Sequence, residues 1–386
     1  MVRLAFAALG AGLLAVLVAA DGRASLHHPE DQTGVVGVDD AGAPEPFPFD
    51  EFRRRRVITR NASNADWPLE QIDPKTKEKV IDPNTGKPYL SDRGVLDARI
   101  KKALAKPEKA RTPEEKAALA VDYLRFSRPD DAEGALKGQR SDFLANVTLA
   151  HIAATQGQWA RAYEFLDIAN EEAANKRKPL TAVHGMSGAK LAWQLKMNRG
   201  PLLKLVKLRM AEAREEAALK AKKPPEKRPV EDELPDRIFD VNFVNDAGQY
   251  EPGKLAAAEK AKFPGGDFTE ALATVQQLVL WFPNDVRLYW LLGELYAARG
   301  DVERGDLQAA KAIMDECVES GRFSNRKALM QHRDVVTKLA NVEPVEEPPA
   351  ALPFSWRTVR IYFGVIGAIV LYALGRKIWK ATRGGK

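Results

Sequence analysis

The sequence predicts an all-α-dominated chain with small β-hairpin elements near 72–90 and 238–250 and one C-terminal transmembrane helix. Three observations predict it. Apolar residues recur at helical spacing from about 95 to 223 and again from about 254 to 340. One glycine-led pattern returns three times with a fixed internal spacing. Two uninterrupted apolar runs stand near the two ends of the chain. With 386 residues, 45% of them apolar and 29% charged, the chain is long enough for roughly two or three units and apolar enough to build cores.

At the N-terminus, Arg3 precedes the apolar run Leu4–Ala20 and small residues follow it, the layout of a secretory signal over 1–24. Val18-Ala19-Ala20 and Gly22-Arg23-Ala24 both suit signal peptidase, so the mature chain is expected to begin at Asp21 or Ser25. Residues 25–60 read as a flexible arm. Ala43-Pro44-Glu45-Pro46-Phe47-Pro48 is extended and Pro-rich, and the basic cluster Arg53–Arg56 with Arg60 reads as a solvated run beside Asp50 and Glu51. Residues 61–100 hold an offset echo: Ile72-Asp73-Pro74-Lys75-Thr76 and Ile81-Asp82-Pro83-Asn84-Thr85-Gly86. The second copy reads as a turn joining two short strands. It is a poor calcium loop, because no acidic residue closes it at the twelfth position.

A first helical-repeat region is expected over 101–223. Thr112-Pro113-Glu114-Glu115 supplies a cap, a first-turn proline and acids on the positive end of the helix dipole. Gly200-Pro201 separates two further helices. A charged, Pro-rich linker follows over 224–236, then a second helical region over 237–342. That region opens on the strand-like alternation Ile238–Val244 and the turn Asn245-Asp246-Ala247-Gly248. Residues 343–355 form a Glu/Pro stalk. The apolar run Ile361–Gly375 is too short to span alone. Extended from Trp356 to Trp379 it reaches about 35 Å, against a hydrocarbon core of about 30 Å. The expected transmembrane helix is therefore 356–379, with 380–386 as a tail. Arg376, Lys377, Lys380, Arg383 and Lys386 follow the run with no acid among them, which places the tail in the cytoplasm and the bulk outside it, as a single-pass type I protein.

The repeated pattern runs Gly157-x-Trp159-x-x-Ala162-x-x-x-Leu166-x-x-Ala169, then Gly266-x-Phe268-x-x-Ala271-x-x-x-Val275-x-x-Leu278, then Gly300-x-Val302-x-x-Gly305-x-x-x-Ala309-x-x-Ala312. Gly266 and Gly300 are 34 positions apart, and Leu149-Ala150-x-x-Ala153 and Leu292-Gly293-x-x-Tyr296 stand equally far upstream of their glycines. This arrangement resembles the tetratricopeptide repeat. The resemblance implies paired helices stacked into an α-α superhelix, here in two irregular pieces, because Pro264 interrupts one expected helix and extra residues up to Pro179 follow the Gly157 copy in place of a 34-residue successor. In it the glycine ends the first helix, and Ala150 with Ala162, and Gly293 with Gly305, allow close approach. The resemblance also implies that the helix after Pro283 presents Arg287, Trp290 and Glu294 to a concave surface, while the earlier repeat presents Leu144, Val147 and His151. Trp290 then has two readings, an aromatic anchor for a partner or a core residue against the next hairpin.

The rest of the sequence offers little chemistry. A net charge of +6 from 59 basic and 53 acidic scattered residues is no nucleic-acid footprint. The single cysteine, Cys317, excludes an intrachain disulfide and reads as a packed thiol. His27, His28, His151, His184 and His332 show no metal-ligand spacing, and no P-loop, nucleophile elbow or dinucleotide fingerprint occurs. No catalytic, cofactor-binding or metal-binding residue is therefore expected. The one metal reading is a terminus starting at Ser25-Leu26-His27, whose nitrogen set would suit Cu(II) or Ni(II). The expectation is a membrane-anchored extracytoplasmic scaffold that binds protein partners. Its alternatives are a structural or assembly subunit of an envelope complex, and a tail-anchored cytosolic adaptor if the N-terminal segment is retained.

Overall fold

Helix starts follow the caps written in the sequence. In the computed structural model, residues 36–39, 42–139, 142–174, 182–183, 186–222, 234–245, 247–323 and 325–341 are described. The expected signal, the linker up to 233, the stalk and the transmembrane segment lie outside these residues, as do His27, His28 and His184. No helix among the described residues is long and apolar enough to cross a membrane. The described helices are α1 (Phe49–Ser63), α2 (Asp92–Leu104), α3 (Pro113–Arg125), α4 (Pro129–Ala135), α5 (Phe143–Thr155), α6 (Trp159–Ala174), α7 (Gly188–Met197), α8 (Leu203–Ala221), α9 (Ala257–Lys260), α10 (Phe268–Trp281), α11 (Val286–Arg299), α12 (Asp306–Glu319) and α13 (Lys327–Ala340). Helix therefore dominates the fold. Thr112 and Glu115 close a reciprocal capping box on α3, and Ser91, Asp142, Asp267 and Asp285 each accept backbone N–H groups at the start of α2, α5, α10 and α11.

Two pairs of two-residue strands are antiparallel: β1 (Gly37–Val38) with β2 (Pro44–Glu45), and β3 (Ala182–Val183) with β4 (Met186–Ser187). Near 238–250 the expected hairpin reduces to one bridge, Val244 to Tyr250, around the turn at Gly248. Gly200 and Pro201 do not separate two helices. They sit in a π-helical turn, Asn198–Leu202, that carries α7 into α8. A proline has no N–H for the α-helical ladder, and a widened turn accommodates it.

Helices pack as neighbours in sequence: α5 on α6, α10 on α11, α11 on α12 and α12 on α13. Gly293 lets α11 approach α12, since a Cβ there would lie 3.1 Å from Ile313 Cγ2. Gly305 plays a different part from the expected one. It has a positive φ of 67° and begins α12 instead of facing Gly293. The copy at Gly266 lacks its full first helix: only the four-residue α9 and a 3-10 turn at Pro264–Gly266 precede α10.

The arm does not read as expected over its second half. Residues 49–63 are helix α1, and it packs on α10. Phe52 is fully buried, and the backbone ahead of α1 is fastened to α10 by paired amides. Gln277 Oε1 accepts from Val36 N at 3.0 Å; Gln276 accepts from Phe47 N at 2.8 Å and donates to Phe47 O at 3.0 Å. The basic cluster is not uniformly solvated either. Arg54 and Arg55 pair with Glu51, whereas Arg56 is buried, pairs with Glu316 at 2.8 Å and stacks on the Tyr289 ring at 3.5 Å.

The echo at 72–90 forms a closed three-sided element rather than a hairpin. Gln71 N donates to Tyr89 O, Val80 N to Gln71 O and Tyr89 N to Val80 O, so three residues nine positions apart bond in a ring. Bridges join Glu70 to Leu90, Ile72 to Lys79 and Ile81 to Pro88. Each Asp-Pro turn is held alike: Asp73 Oδ1 accepts from Lys75 N and Thr76 N, and Asp82 Oδ1 accepts from Asn84 N. Lys77 and Gly86, equivalent in the two turns, both have positive φ, 63° and 66°.

Candidate functional site

Helix α11 organises the region where the predicted site residues fall. Asp285 caps its start by accepting from Arg287 N and Leu288 N, and Gly300 ends it with φ 61°. Every residue from 288 to 298 is buried. One face is covered by the chain's own segment 236–253. Asp236 N donates to Arg287 O at the N-terminal end, and Gly253 N donates to Ala297 O at 2.9 Å near the other. Gly300 and Gly253 touch so closely that a Cβ on Gly300 would lie 2.7 Å from Gly253 Cα. Only glycine suits both that contact and the positive φ.

Trp290 and Glu294 are brought together, one helical turn apart, and both are fully buried. Trp290 Nε1 donates to Glu294 Oε1 at 2.6 Å, and the indole meets Phe323 edge to face. His332, from α13, places Nδ1 2.8 Å from the same oxygen, and Tyr250 stacks flat on the imidazole at 3.8 Å. Burial and the nearby Glu294 carboxylate push the Tyr250 phenol well up, so it stays protonated. The expectation that Trp290 and Glu294 face an open groove is thereby corrected: of the two readings of Trp290, the structure shows the core one. An indole and a carboxylate on one helix face satisfy each other, and the 236–253 segment with Phe323 excludes water from them.

Arg287 belongs to a separate ion network. Its guanidinium is 2.8 Å from Glu212 and 3.6 Å from Asp236, while Arg209 meets Asp236 at 2.7 Å and Asp285 at 2.9 Å. Burial pushes the Asp236 carboxyl up and Arg209 pulls it back; Arg209 itself is held charged by Asp236 and Asp285 against its burial. Asp236, assigned above to the linker, is thus a buried tie between α8 and the start of α11. His151 lies elsewhere, on α5, 1% exposed and wedged edge-on to Trp281 and stacked on Phe282. Neither of its ring nitrogens has a hydrogen-bond partner among the described residues, and burial lowers its pKa to about 3. Leu144 and Val147 are buried as well, so none of the three expected groove residues of α5 is accessible.

Between segment 234–250 and α13 lies a cavity of about 760 Å³. His332 and Tyr250 form its aromatic wall, Val241, Phe243 and Val335 add apolar surface, and Arg237, Asp240 and Gln331 add polar groups. The size is that of small-ligand or side-chain pockets. With Nδ1 fixed on Glu294, the imidazole offers Nε2 as its remaining hydrogen-bonding atom. The arrangement sets a stacked aromatic pair beside apolar and polar side chains in one cavity. Among the described residues no three His, Cys, Asp or Glu side chains gather in metal-holding geometry.

Sequence reasoning missed His332, Tyr250, Asp236 and Arg209. The Trp290-x-x-x-Glu294 spacing was a usable signal for the first contact, since residues four apart share a helix face. Nothing local marks Tyr250 or Asp236. The chain matches no known family model and no curated protein sequence.

Proposed function

We infer that this chain is a membrane-anchored, extracytoplasmic scaffold of tetratricopeptide-like helical hairpins, and that it binds a segment of a partner protein in the cavity beside α13. The observation that carries the reading is the pairing of α5 with α6 and α11 with α12 around the positive-φ glycines Gly157 and Gly300, with Gly293 against Ile313. The address rests on the apolar runs 4–20 and 361–375 and their flanking charges. No catalytic residue is assigned. Partner recognition shifts from Trp290 to the cavity lined by His332, Tyr250, Gln331 and Val335, of which Gln331 is the exposed member.

The covering of α11 by segment 236–253 favours the assembly-subunit reading over free capture of diverse ligands. With that face filled by its own chain, α11 offers no open groove there for exchangeable ligands. The test is cross-linking and mass spectrometry of the full chain in its native membranes, with Gln331→Arg and Val335→Arg as cavity-blocking variants. Loss of a specific cross-linked partner with unchanged melting supports the reading. Retention of every partner by both variants rejects the cavity as the site.

A further inference from the structure

A second cavity, of about 490 Å³, lies between α1 and the adjoining ends of α11 and α12. The α1 wall presents Arg53, Arg56 and Arg60, spaced at three and four residues and so on one helix face. Arg322 stands across the opening, its Nη1 donating to Asn284 O at 2.6 Å. Glu316 answers Arg56 at 2.8 Å and Arg53 at 3.3 Å, so a single carboxylate serves two guanidinium groups. Arg60 has no ion-pair partner among the described residues, and Glu319 is the only other acid in the lining. Four guanidinium groups thus face two carboxylates.

The interior of this cavity is built rather than incidental. Arg56 is 6% exposed and Tyr289 1% exposed, with the guanidinium lying 3.5 Å above the phenol ring. The Tyr289 hydroxyl has no hydrogen-bond partner among the described residues, and neither does Arg56 Nε. Buried donors are nearly always satisfied, so an unmatched phenol beside a guanidinium calls for an acceptor. Burial also pushes the Tyr289 phenol up, which keeps it a donor. Cys317 is no competitor as a reactive group: burial raises its thiol to about 12 and its sulfur faces Val286 O.

We propose that this cavity binds a phosphate monoester group, with Arg60 and Arg322 gripping the dianion at the mouth and Arg56 and Tyr289 backing it. The excess of two cations matches a dianion, and guanidinium forks match the tetrahedral oxygens. The group can arrive on a soluble ester or on a lipid headgroup; the chemistry is the same. The site is independent of the α13 cavity.

The experiment uses the full chain in nanodiscs. Binding of inorganic phosphate and of glycerol phosphate is measured by calorimetry at constant ionic strength, with chloride as control, and nanodiscs with and without phosphatidic acid separate the lipid source. Saturable binding of the monoester is expected, weakened roughly tenfold or more by Arg60→Gln with Arg322→Gln, exposed positions whose loss leaves melting unchanged. Tyr289→Phe keeps the ring and is expected to weaken binding several-fold. A monoester site competed only by phosphatidic acid in the disc identifies the headgroup as the source. Heats equal to those of chloride, or binding indifferent to the double substitution, would overturn the proposal.

Discussion

Helix α11 and the three-sided element at 64–90 are opposite solutions to holding a chain in place. From 288 to 298 every residue of α11 is buried, including a glutamate and a tryptophan. From 64 to 90 no residue is buried at all, and Trp67, Leu69, Ile72, Ile81, Tyr89 and Leu90 are all more than a third exposed. The helix depends on burial and on side chains from distant segments. The element depends on backbone: a ring of three hydrogen bonds and two Asp-capped turns, each closed within its own neighbourhood. Both are ordered, so hydrophobic burial is one route to local order and backbone bonding with turn chemistry is another.

That contrast sets the expected scale of mutations. The largest effect belongs to Trp290→Ala, which empties the space against Phe323 and leaves Glu294 with His332 as its remaining partner; about 3–5 kcal/mol of destabilisation is expected in urea unfolding. A variant that melts normally but loses partners would restore the groove reading of this residue.

His151 carries the same dependence on burial into pH. Its folded pKa of about 3 lies below the ordinary value of 6.5, so between these values the unfolded chain binds the extra proton. Its contribution is fully present above pH 6.5 and is lost as pH falls toward 3, by roughly 2–3 kcal/mol at pH 4.5. His151→Phe should flatten that part of the stability profile, and identical profiles for the two proteins would contradict it.

The seat of the exposed element is a further test. A Cβ on Gly94 would lie 1.8 Å from Leu69 O, where the element joins α2. Gly94→Ala is expected to cost about 1–3 kcal/mol and to speed amide exchange across 64–90 while leaving α11 protected. Equal loss of protection in both regions would mean that the two are one cooperative unit.

The smallest effect lies inside the element. Lys77 holds the left-handed conformation that Gly86 holds in the twin turn. Lys77→Gly relieves a strain of about 1 kcal/mol, offset in part by glycine's greater freedom when unfolded, for a net gain of a few tenths of a kcal/mol. Thermal melting of the single variant checks the sign.

What the sequence determined by itself is local. The capping box at Thr112 and Glu115, the glycine that ends α11 and the paired Asp-Pro turns involve partners within a few residues, so composition and spacing expose them. Helical periodicity likewise shows that α10 to α13 are helices. The tertiary structure alone decided what covers each face. Arg56 looked like one charge in a solvated run, yet it is buried against Tyr289 and Glu316, which is 260 positions away. Asp236 looked like linker and became the buried partner of Arg209. Tyr250 reaches His332, and through it Glu294, from a different stretch of chain. A side chain's own type sets the cost of burying it; whether a distant partner offsets that cost depends on three-dimensional placement, which no local spacing records.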